Sequence, residues 1–360
     1  METPAPSTRL TRGYATSGAD QPLRPFTFAR RSPNDDDVII DIAYCGVCHS
    51  DVHAAHNAWG TSHYPMVPGH EITGIVREVG AAVTKFKKGD RVGVGCFIDS
   101  CTTQGHRDVD HEHYLPGLVF TYNGFEPGSK DPTLGGYSDA IVVKEGYVLS
   151  IPEALPLDAA APLLCAGITV YSPLRHWKVG GGAKVAIVGL GGLGHVAVKI
   201  ARAMGAEVTA LSRTLEKRDD ALRLGANAVF ATKNPDTFIQ LAGAFDLVLC
   251  TVSGDVDWNA YLGLLKLDGS FVTVGVPDAP VPVSAFPLIV GRRQVGGSYM
   301  GSIKETQEML DFCARHGVTA DIETVAIQDI NTAFERVTKS DVRYRFVIDL
   351  ATLAKGGTAS

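Results

Sequence analysis

Residues 185–194 read VAIVGLGGLG, a glycine-rich turn that directly follows apolar residues. Three of its glycines fit G-x-G-x-x-G directly after an apolar strand-like run and before a helical pattern. The first permits a tight turn, the second lets the backbone approach a pyrophosphate, and the third lets the helix pack against the strand. The pattern predicts a dinucleotide site with the phosphates at a helix N-terminus. The loop residues predicted to bind the cofactor are Gly189, Leu190, Gly191, Gly192, Leu193 and Gly194.

The end of the next predicted strand indicates which dinucleotide is bound. An NAD site places an acidic residue there for the ribose 2′-hydroxyl, but EVTAL is followed by Ser212, Arg213 and Thr214. The two hydroxyls can bond a 2′-phosphate, Arg213 can pair with it, and Lys217 lies within reach. The sequence therefore favours NADP(H). The alternative is that Arg213 and Lys217 form only a solvated helix start.

The rest of the chain divides into two kinds of pattern. From residue 165 strands alternate with amphipathic helices, including a predicted helix through WNAYLGLLKLDG (258–269), which indicates a parallel sheet with helices on both faces. Residues 20–160 instead hold short apolar runs punctuated by Gly, Pro and Asp, which is typical of a mostly antiparallel β domain. The tail after residue 304 returns to a helix and strands.

Composition excludes several classes of protein. The 360 residues suffice for two domains, and a net charge of −6 gives no basic field for nucleic acid or anionic lipid. No apolar run is long enough for a transmembrane helix, and the N-terminus lacks the apolar core of a secretory signal. Seven cysteines, an odd number spread over a long chain, argue against a disulfide framework and for a reducing, cytoplasmic location.

Possible zinc ligands occur in three distant segments: AYCGVCHSDVH (43–53), VPGHE (67–71) and APLLCAG (161–167). The C-x-x-C pair in the first segment has no second pair nearby, as a zinc finger would need. A catalytic zinc, however, takes three ligands and keeps one open position, so ligands from distant loops are acceptable. The spacing alone does not decide the matter.

These segments, together with LGGY (134–137), YRFV (344–347) and the glycine loop, resemble the zinc-containing medium-chain alcohol dehydrogenases. The similarity is greatest to the cinnamyl alcohol dehydrogenase-type aldehyde reductases. It implies an α/β chain with a GroES-like, mostly antiparallel β catalytic domain over 1–164 and 304–360. A Rossmann, doubly wound nucleotide-binding domain would occupy 165–303. It also implies a homodimer, with 270–286 as the candidate strand segment at the edge of the nucleotide-binding domain.

The resemblance further implies a role for each residue of the metal site. Cys48, His70 and Cys165 would hold a catalytic zinc. Glu71 would be a carboxylate that can enter the zinc shell during ligand exchange. Asp51 would orient a zinc ligand through a hydrogen bond.

A proton relay is implied beside the metal. Ser50 would hydrogen-bond the substrate oxygen, and His53 would lie further along the relay. His49 is expected near the cofactor phosphates, and Cys45 is expected to pack as a small buried side chain. No role is assigned to three histidines, which we expect at the surface or in loops: His56, His63 and His195.

The implied reaction is hydride transfer between NADP(H) and aldehydes, aromatic and aliphatic, or the corresponding primary alcohols. One alternative is an NADPH-dependent reductase of a conjugated C=C or an iminium, and another is a non-catalytic NADPH sensor from a zinc-free branch. The intact ligand set and relay favour the first. Apolar pocket candidates, each of which could instead be simple core, are Trp59, Phe97, Leu115, Phe120, Tyr122, Met300 and Ile303.

A second zinc site of the resembling family is expected to be lost. In that family four cysteines at C-x-x-C-x-x-C-x₇-C hold a structural zinc, but here Cys101 is followed at those positions by Gln104, Arg107 and Leu115. Arg and Leu cannot ligate zinc, so we predict an empty site. The lobe would then be held by packing, with Tyr114 and Leu115 turned inward, or it would be mobile. A replacement set remains an alternative, with oxygens available from Asp108, Asp110 and Glu112. Its nitrogen and sulfur ligands would be Cys101, His106, His111 and His113.

Overall fold

The computed structural model describes residues 10–100, 110–277 and 279–356. The chain forms two compact units, the first made of residues 1–165 and 301–360 and the second of residues 166–300. The described strands are β1 (Leu10–Ala15), β2 (Arg24–Ala29), β3 (Asp37–Val47), β4 (Ile72–Val79), β5 (Arg91–Val94), β6 (Phe97–Asp99), β7 (Val119–Phe120), β8 (Ala140–Lys144), β9 (Leu149–Ser150), β10 (Lys184–Val188), β11 (Glu207–Ser212), β12 (Ala228–Ala231), β13 (Phe245–Cys250), β14 (Leu265–Thr273), β15 (Gln294–Gly297), β16 (Ile322–Ala326) and β17 (Arg345–Asp349).

The described helices are α1 (His49–Ala55), α2 (Leu157–Ala160), α3 (Ala166–His176), α4 (Gly194–Ala203), α5 (Arg218–Arg223), α6 (Asp236–Gln240), α7 (Trp258–Leu262), α8 (Ala285–Gly291), α9 (Ile303–His316) and α10 (Ile330–Thr338).

The first unit is built around a seven-stranded sheet in the order β16-β17-β3-β4-β5-β9, with β8 also pairing with β3. All its pairs are antiparallel except β16 with β17. β3 reads DVIIDIAYCGV, and its β-branched Val38, Ile40 and Ile42 alternate into the core. This confirms the mostly antiparallel β domain.

Strand register in this sheet brings distant segments together. Phe346 of β17 lies opposite Val47 of β3, and Cys45 of β3 lies opposite Ile72 of β4. The end of β3, the start of β4 and the start of β17 therefore meet at one edge. These neighbouring strand ends bring together residues 45–48, 70–72 and 345, which are far apart in the chain.

The second unit contains a six-stranded parallel sheet in the order β12-β11-β10-β13-β14-β15. This is a doubly wound order: β11 and β12 are added on one side of β10, and β13, β14 and β15 on the other. β10 (KVAIV) and β13 (FDLVLC) are almost wholly buried, as continuous apolar runs in a parallel sheet should be. The Rossmann prediction is confirmed.

Two predicted elements in this unit are wrong. The helix through 258–269 covers only Trp258–Leu262, because Leu265 already pairs with Phe245 of β13 and burial in the sheet overrides helical periodicity. The segment 270–286 is not a strand throughout, since β14 stops at Thr273 and the following proline-rich run cannot donate ladder hydrogen bonds. On that side of the sheet the edge strand is β15.

Within the described residues, no single helix is long and apolar enough to cross a membrane. A bent pair, Leu157–Leu164 with Ala166–His176, meets the length and composition criteria only when the two helices are taken together.

Candidate metal centre and cofactor turn

Four side chains of the first unit form a group able to hold a metal ion: Cys48, His70, Glu71 and Cys165. One ligand atom from each lies within 4.8 Å of all the others, and no other such group occurs among the described residues. The two Sγ atoms of Cys48 and Cys165 are 3.9 Å apart. Cys48 follows β3, His70 and Glu71 precede β4, and Cys165 ends the short 3₁₀ turn Ala161–Leu164.

The buried carboxylate of Asp51 ties this group to its surroundings. Its Oδ1 lies 3.1 Å from His70 Nδ1 and accepts a hydrogen bond from Gly69 N at 3.2 Å. Its Oδ2 accepts from Cys48 N at 2.9 Å and from the Tyr137 hydroxyl at 3.1 Å. With Nδ1 engaged, Nε2 is the nitrogen of His70 available to a metal.

Glu71, a member of the group, forms a buried ion pair with Arg345. Arg345 Nη2 donates to Glu71 Oε1, whereas Glu71 Oε2 is buried with no hydrogen-bond partner among the described residues. Burial raises the pKa of Glu71 to about 7, although Arg345 acts in the opposite direction. Burial alone would lower the pKa of Arg345, but Glu71 and the neighbouring thiols raise it above its usual value.

The thiols of this region differ in how readily they ionise: hydrogen bonds with Cys48 and Cys96 raise the pKa of Cys165 well above its usual value, whereas the pKa values of Cys48 and Cys96 are lowered. The hydrogen bond shared with Cys165, reinforced by the charges of Arg345 and His70, lowers the pKa of Cys48 well below its usual value. Cys96, to which the sequence assigned no role, also shares a hydrogen bond with Cys165, and this lowers the pKa of Cys96. Burial raises the pKa of Cys45, which is fully buried and stands outside the ligand group, as expected of a packing residue.

The predicted relay residues lie on α1, next to Cys48. Ser50 Oγ is 3.6 Å from Cys48 Sγ, so its hydroxyl borders the ligand group. His53 follows one turn later, between the rings of His49 and Trp59, at centroid distances of 4.8 and 5.4 Å. His49 is exposed at the start of the helix.

The glycine loop of the second unit is shaped by close backbone approach. Gly189 has φ +90°, and a Cβ there would lie 2.6 Å from Val252 Cγ2. A Cβ on Gly194 would lie 1.9 Å from the carbonyl oxygen of Gly189. A Cβ on Gly191 would meet nothing within 4 Å, so this glycine faces open space at the N-terminus of α4. The loop therefore offers room for a phosphate beside backbone N–H groups.

The predicted 2′-phosphate residues lie at the end of the neighbouring strand. β11 ends at Ser212, and the pairing of Val188 with Leu211 places the following residues beside the glycine loop. Arg213 is exposed, and Thr214 is half-buried. Lys217 Nζ donates to the carbonyl oxygen of Leu190 at 3.0 Å, which holds this cation against the loop.

Two expectations about single side chains are wrong. His195 is fully buried in the first turn of α4, where its Nδ1 lies 3.1 Å from the Gly191 carbonyl oxygen, because a helix that packs on the sheet buries even a polar residue that finds an acceptor. Tyr114 is 55% exposed and does not turn inward. His56 and His63 are exposed, as expected.

The pocket candidates divide by burial. In the first unit Tyr122 borders the ligand group, its ring centroid 5.7 Å from that of His70, and Phe97 is buried against Tyr147. Leu115 and Ile303 are half-buried, whereas Trp59 and Phe120 are exposed. Met300 is buried and belongs to the second unit.

Most of the expected lost zinc site lies outside the described residues, namely Cys101, Gln104, His106, Arg107 and Asp108. The described part of this lobe, from Asp110 to Gly117, is joined to the start of α9. Glu112 Oε1 accepts from Ile303 N at 2.7 Å, and Lys304 pairs with Asp110 at 2.8 Å. His113 is buried, its Nδ1 has no hydrogen-bond partner in the described chain, and burial lowers its pKa to about 4.

Comparisons with protein families and with individual proteins both find similarity to alcohol dehydrogenases. Residues 34–153 match the alcohol dehydrogenase GroES-like domain, and residues 192–315 match the zinc-binding dehydrogenase domain. The chain is 59% identical over 342 residues to NADP-dependent alcohol dehydrogenase C 1 of Mycolicibacterium smegmatis, covering 94% of this chain and 98% of that protein. It is 48% identical over 342 residues to cinnamyl alcohol dehydrogenase 2 of Arabidopsis thaliana, covering 94% and 91%.

Two solved structures are also similar over nearly the whole chain. One is a cinnamyl alcohol dehydrogenase from Sorghum bicolor, with 46% identity, a TM-score of 0.93 and coverage of 98% of this chain and 99% of that one. The other is a Helicobacter pylori CAD complexed with NADP(H), with 42% identity, a TM-score of 0.90 and coverage of 96% and 99%.

Proposed function

The chain belongs to the zinc-binding alcohol dehydrogenases with a GroES-like domain, and from that premise we propose how its residues divide the work of catalysis. It is an NADP-dependent enzyme that interconverts alcohols and aldehydes. The observation that carries the proposal is the group of two thiols, one imidazole and one carboxylate, whose ligand atoms lie within 4.8 Å of one another.

Cys48, His70 and Cys165 would hold the zinc. Two thiolates and one imidazole are the donor set of a catalytic zinc with an open fourth position, a combination that alcohol dehydrogenase itself exemplifies. A zinc held there would supply a Lewis acid for the carbonyl oxygen of the aldehyde. Asp51 fixes the tautomer and the orientation of His70 through Nδ1.

Glu71 is suited to assist exchange at the open position. Its Oε2 has no hydrogen-bond partner among the described residues, so a movement of this oxygen toward the metal breaks no bond. Arg345 holds the other oxygen and supplies the opposing charge. The sequence pattern does not assign a role to Arg345 within YRFV, because that role depends on the register of β17 beside β3.

NADPH would lie on the glycine loop with its pyrophosphate at the N-terminus of α4, and it supplies the hydride. Ser212, Arg213, Thr214 and Lys217 would bind the 2′-phosphate. The support is their position at the end of β11 and the contact of Lys217 with Leu190. No carboxylate stands at the end of β11 to repel a phosphate.

Ser50 and His53 would move the proton. The Ser50 hydroxyl borders the ligand group and would donate to the substrate oxygen as the aldehyde is reduced. His53, three residues later on the same face of α1, would return a proton to Ser50. Running in reverse, the same groups accept the proton of a primary alcohol.

The substrates would be uncharged aldehydes, aromatic and aliphatic. Tyr122 and Phe97 offer apolar surface in the first unit, and no charged side chain occurs among the seven pocket candidates.

A homodimer would form through the exposed side of the second unit. Strand β15 ends the parallel sheet, and the adjacent helix α8 exposes Phe286, Ile289 and Val290 by 73%, 75% and 60%. An apolar face beside an open sheet edge suits a second copy of the same surface. The six described cysteines are all free thiols, which supports a cytoplasmic location.

Consumption of NADPH in the presence of benzaldehyde and of a conjugated enone tests the proposed reaction. The zinc-loaded protein should oxidise NADPH rapidly with benzaldehyde and slowly with the enone. Faster turnover of the enone would favour reduction of a conjugated C=C, and NADPH binding without turnover of either would indicate a sensor.

A further inference from the structure

We propose that Thr251 is a positioning residue for the cofactor turn, because its hydroxyl holds the two backbone carbonyls from which the glycine loop departs. The inference rests on the proposed binding of NADPH to that loop. No motif marked Thr251 in the sequence, where it merely follows the apolar strand FDLVLC.

Thr251 extends the pairing of β13 with β10 by one residue. Cys250, the last residue of β13, lies opposite Val188, the last residue of β10. The backbone N–H of Thr251 donates to the Val188 carbonyl oxygen at 3.0 Å. Its Oγ1 then lies 2.9 Å from the same oxygen and 3.3 Å from the carbonyl oxygen of Gly189. The side chain thus continues the strand contact at the point where β10 turns into the loop.

The same hydroxyl lies beside the first and third glycines of the loop. A Cβ on Gly189 would lie 3.1 Å from Thr251 Oγ1, and a Cβ on Gly194 would lie 3.3 Å from it. Val252 adds a second close contact, with its Cγ2 2.6 Å from a Cβ on Gly189. The end of β13 therefore supports the turn, while Gly191 faces open space.

The loop needs this support from a neighbouring strand. Glycines lose more conformational freedom than other residues on folding and bring no side chains to fix themselves. A hydroxyl that shares its proton between the Val188 and Gly189 carbonyls keeps the loop in the conformation that receives the pyrophosphate. Binding then costs less ordering of the loop.

This role predicts that a substitution at Thr251 weakens nucleotide binding to the same extent for NADH and NADPH. NADH and NADPH have the same pyrophosphate and differ only at the 2′ position. The proposed 2′-phosphate residues follow β11, which pairs with β10 on the side opposite to β13, the strand that Thr251 follows. A change at Thr251 should therefore weaken both nucleotides equally. A change at Arg213 should weaken NADPH alone.

The test compares Thr251→Val and Thr251→Ala, which lack the hydroxyl, with Thr251→Ser, which keeps it. NADPH and NADH are titrated by fluorescence on the zinc-loaded enzyme, and kcat is measured at saturating NADPH with benzaldehyde. Loss of one hydrogen bond should raise both Kd values about three- to tenfold in the Val and Ala variants, with their ratio and kcat unchanged. The Ser variant should bind like the wild type.

Wild-type Kd values in both hydroxyl-free variants would overturn the proposal. So would weakening of NADPH alone, or a Ser variant as weak as the Ala variant, since packing of the methyl group would then be responsible. Should the Val variant fail to fold, the Ser and Ala pair decides, because these side chains differ by the hydroxyl alone. Failure of the proposed function would appear separately, as a wild-type protein that binds neither nucleotide.

Discussion

The metal group joins side chains as far apart in the chain as Cys48 and Cys165, whereas the cofactor turn lies within residues 185–194. The first is held by polar side chains, with Asp51 and Arg345 binding its members through buried hydrogen bonds. The second is held by backbone contacts, by the Thr251 hydroxyl, and by close packing at Gly189 and Gly194, where a Cβ has no space. Chemistry and cofactor binding therefore depend on separate interactions, and substitutions should affect one without the other.

Loss of a metal ligand should have the largest effect. Cys48→Ser, His70→Ala or Cys165→Ser should lower kcat for aldehyde reduction by at least about 10³-fold, since the Lewis acid contributes several kcal/mol. The Kd for NADPH should stay unchanged. Steady-state kinetics and nucleotide titration check both, and Cys45→Ala, a buried thiol outside the ligand group, serves as the control. A ligand variant with normal zinc content and one tenth of the wild-type kcat would show that the ligand assignment is wrong.

The Ser50 hydroxyl tests the part of the first unit that moves protons. Ser50→Ala should lower kcat by about 10²–10⁴-fold, the usual range for acid–base assistance, and should leave the KM for NADPH unchanged. Ser50→Thr keeps the hydroxyl and should restore most of the rate. Full-speed turnover by the Ala variant would mean that the proton reaches the substrate by another route.

Arg213 tests specificity at the second site. Arg213→Ala removes a charge-assisted contact to the 2′-phosphate and should raise the KM for NADPH about ten- to a hundredfold. The KM for NADH should hardly change, because NADH lacks that phosphate. Arg218→Ala, an exposed cation at the start of α5, is the matched control. Equal efficiency of NADH and NADPH in the unmutated enzyme would contradict the assignment.

The smallest effect is expected from substitutions in the lobe that follows β6, which should leave the zinc content of the protein unchanged. Elemental analysis should find about one zinc per chain, the catalytic one, and His111→Ala with His113→Ala should leave that content unchanged. Two zincs per wild-type chain, with the second lost in this double variant, would mean that the lobe has rebuilt a metal site.

The two regions also differ in how far the sequence predicts them. The glycine turn can be predicted from a contiguous pattern, because strand, turn and helix lie next to one another in the chain. The need for a glycine at each position of the pattern follows from this local geometry. The metal group could be named only by resemblance, since three segments far apart carry no spacing that requires them to meet. Strand register joins them, and it is set by the whole sheet.

For the same reason the supporting residues escaped prediction. Arg345 and Thr251 reach their partners only through the pairing of β17 with β3 and of β13 with β10. The helix predicted over 258–269 was wrong because sheet pairing at Leu265 outweighed local periodicity. The expectation that His195 lies at the surface or in a loop was wrong, because the sequence does not show that the Gly191 carbonyl oxygen lies near its ring.

Removal and return of the metal is the most direct test of the division between chemistry and cofactor binding. NADPH affinity and benzaldehyde-dependent NADPH oxidation are measured on the same preparation before chelation, after it and after zinc is added back. The Kd for NADPH should stay constant, while turnover should disappear with the zinc and return with it. Turnover that persists in zinc-free protein, or NADPH affinity lost together with the metal, would contradict the account.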